Sequence, residues 1–257
     1  MTTRKILRMA DIQTSDILFY DEGAKDRCYK FCFDRNIDCM PSLDDPRSVY
    51  LRDDVLSKFR AEALMEDRRI SADANVFDPQ VVEKFRHQPL LFAYRGNELS
   101  GVVHFSDYNQ PQVSAHLYEL FFEYEKALRT LLIRSGLKNV DMIAYFSDKK
   151  AKGDSAEFYE NKINDYFKFG SQKKLPQFEV FNLTDLIALT NHKRIIKISD
   201  KTKLRNMVMH ANQFVNMQEP GAEGFIYDFE TFENFFRWCQ ELFLDFKRVN
   251  NRLVFTF

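Results

Sequence analysis

Residues 112–134 read QVSAHLYELFFEYEKALRTLLIR, and this stretch divides the chain. Val113, Leu117, Leu120, Phe121, Tyr124, Leu128, Leu131 and Leu132 recur at three- and four-residue steps. Such spacing gathers them on one broad face of a helix, which turns once in about 3.6 residues. Gly136 follows as a C-terminal stop. Before this helix, short apolar runs alternate with short helical ones; after it, the periodicity is helical. The expected architecture is an α/β domain over 1–110 and an all-α domain of about five helices over 111–257.

Composition supports a folded protein with few tight phosphate loops. Of 257 residues, 26 are Phe and only 8 are Gly, with 45% apolar and 29% charged. That balance excludes disorder and collagen-like or low-complexity structure. No GxGxxG and no GxxxxGK[ST] occurs, which argues against a dinucleotide fold and a P-loop NTPase. The net charge of −1 predicts no global attraction to nucleic acid or membrane. No apolar run approaches the roughly 18–20 residues of a membrane helix. The opening MTTRKILRMADIQ has no apolar core of a signal peptide. Cys28, Cys32 and Cys39 cluster without a fourth ligand, and Cys239 is remote. Reduced thiols in a cytoplasmic protein are expected, and no metal site.

The first part divides into two similar cycles. Apolar positions at helical spacing (Ala24, Cys28, Phe31, Cys32) predict a helix over 23–35, followed by Met40-Pro41 and a strand at 48–51. Asp53-Asp54 then caps a predicted helix carrying Val55, Leu56 and Phe59. Asp78-Pro79 starts another helix, because proline fits a first turn. Leu90–Tyr94 and Leu99–Phe105 read as strands around the turn 95–98. The segment HQPLLFAYRGNELSGVVHFSDYN (87–109) and, less fully, MPSLDDPRSVYLRDDVL (40–56) resemble a pair of cystathionine-beta-synthase (CBS) domains. Pro89, Gly101-Val102-Val103 and Asp107 match that family's pattern, while His104 stands where the family has Ser or Thr. The resemblance implies binding of an adenine nucleotide as an effector, with Asp54, His104 and Asp107 as the contacts.

Beyond Gly136, helices are expected at 154–169, 183–190, from Ser199 or Asp200 to about 215, and at 229–247. Pro220-Gly221 separates the last two, and 18 of the 26 Phe lie after residue 110. The charge here is uneven. Lys193, Arg194, Lys197, Lys201, Lys203 and Arg205 are opposed only by Asp200. This run leads into Arg205-Asn206-Met207-Val208-Met209-His210. Asn206 and His210, four apart, share a helix face, whereas Arg205 is about 140° from His210 around the axis. A dimer with this helix at its two-fold would gather two sets of these side chains in one cleft.

In this helix order, R-N-x-x-x-H resembles the signature of the HEPN (higher eukaryote and prokaryote nucleotide-binding) superfamily. That resemblance implies a metal-independent endoribonuclease acting as a homodimer, without a required cofactor, in bacterial defence or toxin action. The residue chemistry is consistent with it. Histidine titrates near neutral pH and exchanges protons with a 2′-hydroxyl or a leaving oxygen. Arginine presents a fork of donors to phosphate. Lys193, Arg194, Lys197, Lys201 and Lys203 would follow an RNA backbone. A second class stays open: a non-catalytic nucleotide- or RNA-binding dimerisation module, or one subunit of a toxin–antitoxin pair. His87, His116 and His192 read as surface or capping residues, Met207 and Met209 as core filler, and the Phe run 229–246 as core or dimer seam.

Overall fold

The computed structural model describes residues 6–153, 155–170, 175–214 and 226–255. The chain divides into two compact units. The first comprises 1–113 with 225–236, and the second 114–224 with 237–257.

The first unit opens with a short helix, α1 (Met9–Ile12), and then α2 (Lys25–Asp34). A meander follows: β1 (Cys39–Pro41), β2 (Ser48–Asp53) and β3 (Lys58–Ala63), antiparallel throughout. β4 (Arg69–Ser71), α3 (Pro79–His87), β5 (Leu90–Arg95) and β6 (Glu98–His104) complete it. In this second sheet β4 runs parallel to β5, and β5 pairs antiparallel with β6. Asp78 caps α3 by accepting from the Gln80 amide at 2.9 Å. Gly96, at φ +63°, makes the β5–β6 turn, a conformation that costs glycine little. Val49, Leu64, Phe92 and Tyr94 join the two sheets in one apolar cluster.

The second unit is helical: α4 (Pro111–Arg134), α5 (Asn139–Ala151), α6 (Ala156–Asp165), α7 (Leu183–His192), α8 (Thr202–Phe214) and α9 (Phe229–Phe255). All eight apolar residues read on one face of α4 are buried. A π-type turn, Tyr166–Gly170, extends α6, and Asn182 caps α7 through the Asp185 amide at 3.0 Å. Helices α4 and α9 both extend across the division between the units.

The expected fold class, a CBS-like α/β domain followed by an all-α HEPN-like domain of about five helices, is overturned on two counts. First, the two cycles of the first unit are not repeats. No helix follows Asp53-Asp54. The Asp53 carboxylate instead accepts from the Val55 and Leu56 amides at 3.1 and 3.0 Å and closes the β2–β3 hairpin. One sheet is an antiparallel meander and the other contains a parallel strand, so the two sheets among the described residues are not two copies of one domain. Second, the helical region holds six α-helices among the described residues, α5 being additional to those expected. The start of α9 also belongs to the first unit. There Phe232 packs against Phe85 and Tyr108, with ring centroids 5.2 and 4.9 Å apart. Part of the late Phe run is thus core of the mixed unit.

Candidate functional site

The basic run lies on the end of α7, the connection that follows and the first turn of α8. Helix α7 ends where Arg194 takes a left-handed φ of +53°. The connection is held by Asn191, whose amide donates to the Ile198 carbonyl (2.9 Å) and accepts from its N–H (2.8 Å). This clamp leaves Lys193, Arg194 and Lys197 exposed. Lys193 approaches Asp141 at 3.6 Å. Asp200 caps α8, accepting from the Thr202 hydroxyl (2.7 Å) and amide (2.9 Å). These bonds, that to the hydroxyl foremost, hold its carboxyl below the usual range. Lys203 is exposed, with its ammonium 5.8 Å from the Trp238 ring centroid.

Lys201 differs from its neighbours in the run. Its side chain is 2% exposed and pairs at 2.8 Å with Asp245 of α9, itself 3% exposed. Lys201 also donates to the Ser199 hydroxyl. Asp245 further accepts from the Ser199 amide (3.2 Å) and hydroxyl (3.0 Å), and from Arg248 (3.1 Å). The ammonium of Lys201 is therefore an internal fastening rather than a solvent-facing cation. Nearby, Tyr124 is fully buried and its hydroxyl has no hydrogen-bond partner. Burial, and then the Asp245 carboxylate, raise its pKa. Ile196, Lys197, Ile198, Ser199, Asp245 and Arg248 line an open cleft of about 570 Å³.

The triplet Arg205, Asn206 and His210 does lie on one helix, α8. Arg205 is half-buried, Asn206 is exposed, and Leu204 and Val208 supply the buried face. The side chain of His210 lies outside the described residues, as does the Pro220-Gly221 break.

The nucleotide-contact residues proposed in the first unit are engaged by the chain itself. Asp107 accepts from the His104 amide at 2.8 Å, and His104 Nδ1 accepts from the Ser106 amide at 3.2 Å. Together they cap the 3-10 turn Phe105–Asn109. Burial lowers the His104 pKa and raises that of Asp107. Gly101 sits where a Cβ would come within 2.5 Å of the Gln13 side chain. Gln13 bonds Ser100 there, so the glycine admits a neighbouring side chain. Asp54, just after β2 of the antiparallel sheet, pairs with Arg52 (2.8 Å) and accepts from the Tyr29 hydroxyl (3.0 Å), while Asp107 follows β6 of the other sheet.

Asp245, Arg248 and Ser199 come together as a group that sequence spacing does not announce. The signal was faint, because Asp245 is one acid among many on an amphipathic helix. Among the described residues no group of three or more His, Cys, Asp or Glu could hold a metal ion. The described cysteines are free thiols, and burial pushes Cys32 up to about 11. No helix among the described residues is long and apolar enough to cross a membrane. None of the family models, curated proteins or solved structures compared with this chain matches it.

Proposed function

We propose that the helical unit binds RNA along the 193–205 segment and cleaves it without a metal ion. In this reading Arg205 neutralises the phosphate, His210 exchanges the proton and Asn206 orients the histidine or a phosphate oxygen. Two copies of α8 supply the complete set, because one helix holds Arg205 and His210 about 140° apart. The observation that carries the reading is the local surplus of cations. Lys193, Arg194, Lys197 and Lys203 are exposed and Arg205 half-exposed within one turn-and-helix segment. Such a surplus attracts a polyanion despite the formal net charge of −1, since field and counterion release are local. An adenine-nucleotide effector is outside this reading, because Asp107 already holds the chain's own amide.

The test is single-stranded RNA in EDTA. Wild type is expected to cut it and His210→Ala to bind without cutting. Equal cleavage by both removes the enzyme reading; binding with no product from either leaves a non-catalytic RNA module. The salt slope of binding supplies a second measure. Arg194→Gln and Lys203→Gln should each lower the slope of log affinity against log salt by about one.

A further inference from the structure

The cleft beside the α7–α8 connection is built differently from the rest of the basic face. Its lining combines two solvent-facing cations, Lys197 and Arg248, with the hydroxyl of Ser199 and the aliphatic walls of Ile196 and Ile198. The one acid in the lining, Asp245, does not face an approaching anion as a bare charge. Its oxygens already accept from Lys201, Ser199 and Arg248, and the buried lysine cancels its charge. The remaining charge in the lining is thus positive. Arg248 is 60% exposed and commits one nitrogen to Asp245. That bond tethers the guanidinium beside the cleft and, among the described residues, takes up one of its five donors. A guanidinium oriented by a carboxylate matches two oxygens of a phosphate in a way that an ammonium does not.

We infer that this cleft is a phosphate-binding site for a nucleotide-sized phosphoester, with Arg248 and Lys197 holding the phosphate and Ile196 and Ile198 flanking the group attached to it. The volume agrees: about 570 Å³ falls within the roughly 300–1,000 Å³ of small-molecule sites. Two sources supply this chemistry, a terminal phosphate on RNA or a free mononucleotide. The inference goes beyond the RNA reading and does not need RNA to be cut.

The full chain is titrated calorimetrically with 5′-AMP and with one short RNA in 5′-phosphorylated and 5′-hydroxyl forms. Arg248→Gln and Lys197→Gln are each expected to weaken the phosphorylated ligands about tenfold or more, as loss of a charged hydrogen bond does. Preference for 5′-phosphorylated over 5′-hydroxyl RNA identifies an RNA end as the source, and binding of AMP alone identifies a free nucleotide. Ser199→Ala, which leaves both cations in place, should weaken binding less. The site is overturned if neither AMP nor the 5′-phosphate affects binding, or if Arg248→Gln with an unchanged melting temperature binds as wild type. Failure of the RNA reading looks different: phosphate binding persists while Arg194→Gln and Lys203→Gln leave RNA affinity unchanged.

Discussion

The His104–Asp107 corner of the mixed unit and the Ser199–Lys201 corner of the helical unit both place a carboxylate against the amide that leads into a helical turn. At the first, Asp107 accepts from the His104 amide, and the imidazole turns onto Ser106. No Lys or Arg side chain bonds to either group among the hydrogen bonds described. At the second, Asp245 accepts from Ser199 and is neutralised by a buried lysine, while Lys197 and Arg248 face solvent. The difference is one of surplus. A corner whose polar groups satisfy one another is a cap; one that satisfies its core and still carries cations offers donors to a ligand. Residue identity alone does not separate the two, since each contains an acid, a serine and a titratable neighbour.

The largest expected effect tests the buried pair. Asp245→Ala strands Lys201 in the interior and should cost about 3–5 kcal/mol, as removal of one partner from a buried ion pair does. Asp107→Ala removes a cap and should cost about 1 kcal/mol. Urea unfolding of the two variants side by side measures both. Equal losses would show that the two corners are built alike.

An intermediate effect concerns the glycine that resembled a nucleotide-motif position. Gly101→Ala drives a Cβ into Gln13 and should cost about 1–2 kcal/mol through the displaced hydrogen bonds. Combining it with Gln13→Ala should recover part of that loss, because neighbours in contact are coupled. Strictly additive losses in a double-mutant cycle would show that Gly101 serves something other than room for Gln13.

The smallest effect is in pH. The folded-state pKa of His104 is lowered from 6.5 by burial, so the unfolded chain binds the extra proton first. Its contribution is present above about 6.5 and is lost on acidification through the window just below. Asp107 is shifted the opposite way, raised from 3.8 by burial. The folded state takes up that proton first, so acidification through the window just above 3.8 adds stability. Wild type should therefore lose stability as the pH falls through the window just below 6.5, and His104→Asn should lose less, read from urea midpoints. An identical change in both would remove His104 as the source.

Local signals were legible and pairing signals were not. The face of α4, the Asp78-Pro79 start of α3, the 95–98 turn and the Asn182 cap all rest on neighbours within four residues. Asp53 misled because an aspartate accepts the same amide bonds at a helix start and in a hairpin turn. Only the pairing of Ser48–Asp53 with Lys58–Ala63 decides between them. β4 was invisible because three residues become a strand only through Phe92, Ala93 and Tyr94, more than twenty positions later. Lys201 looked like its basic neighbours because its partner is 44 residues away.

By itself, the sequence determined the helical stripes, the caps and the concentration of positive charge at 193–205, all set by adjacent residues. The tertiary structure alone decided that Asp53 closes a hairpin, that part of the late Phe run is core of the mixed unit, and that Lys201 is buried while Lys197 and Arg248 are not. The reason is physical: a side chain's exposure and the partner of its charge depend on what folds against it, and in this protein those partners come from distant parts of the chain.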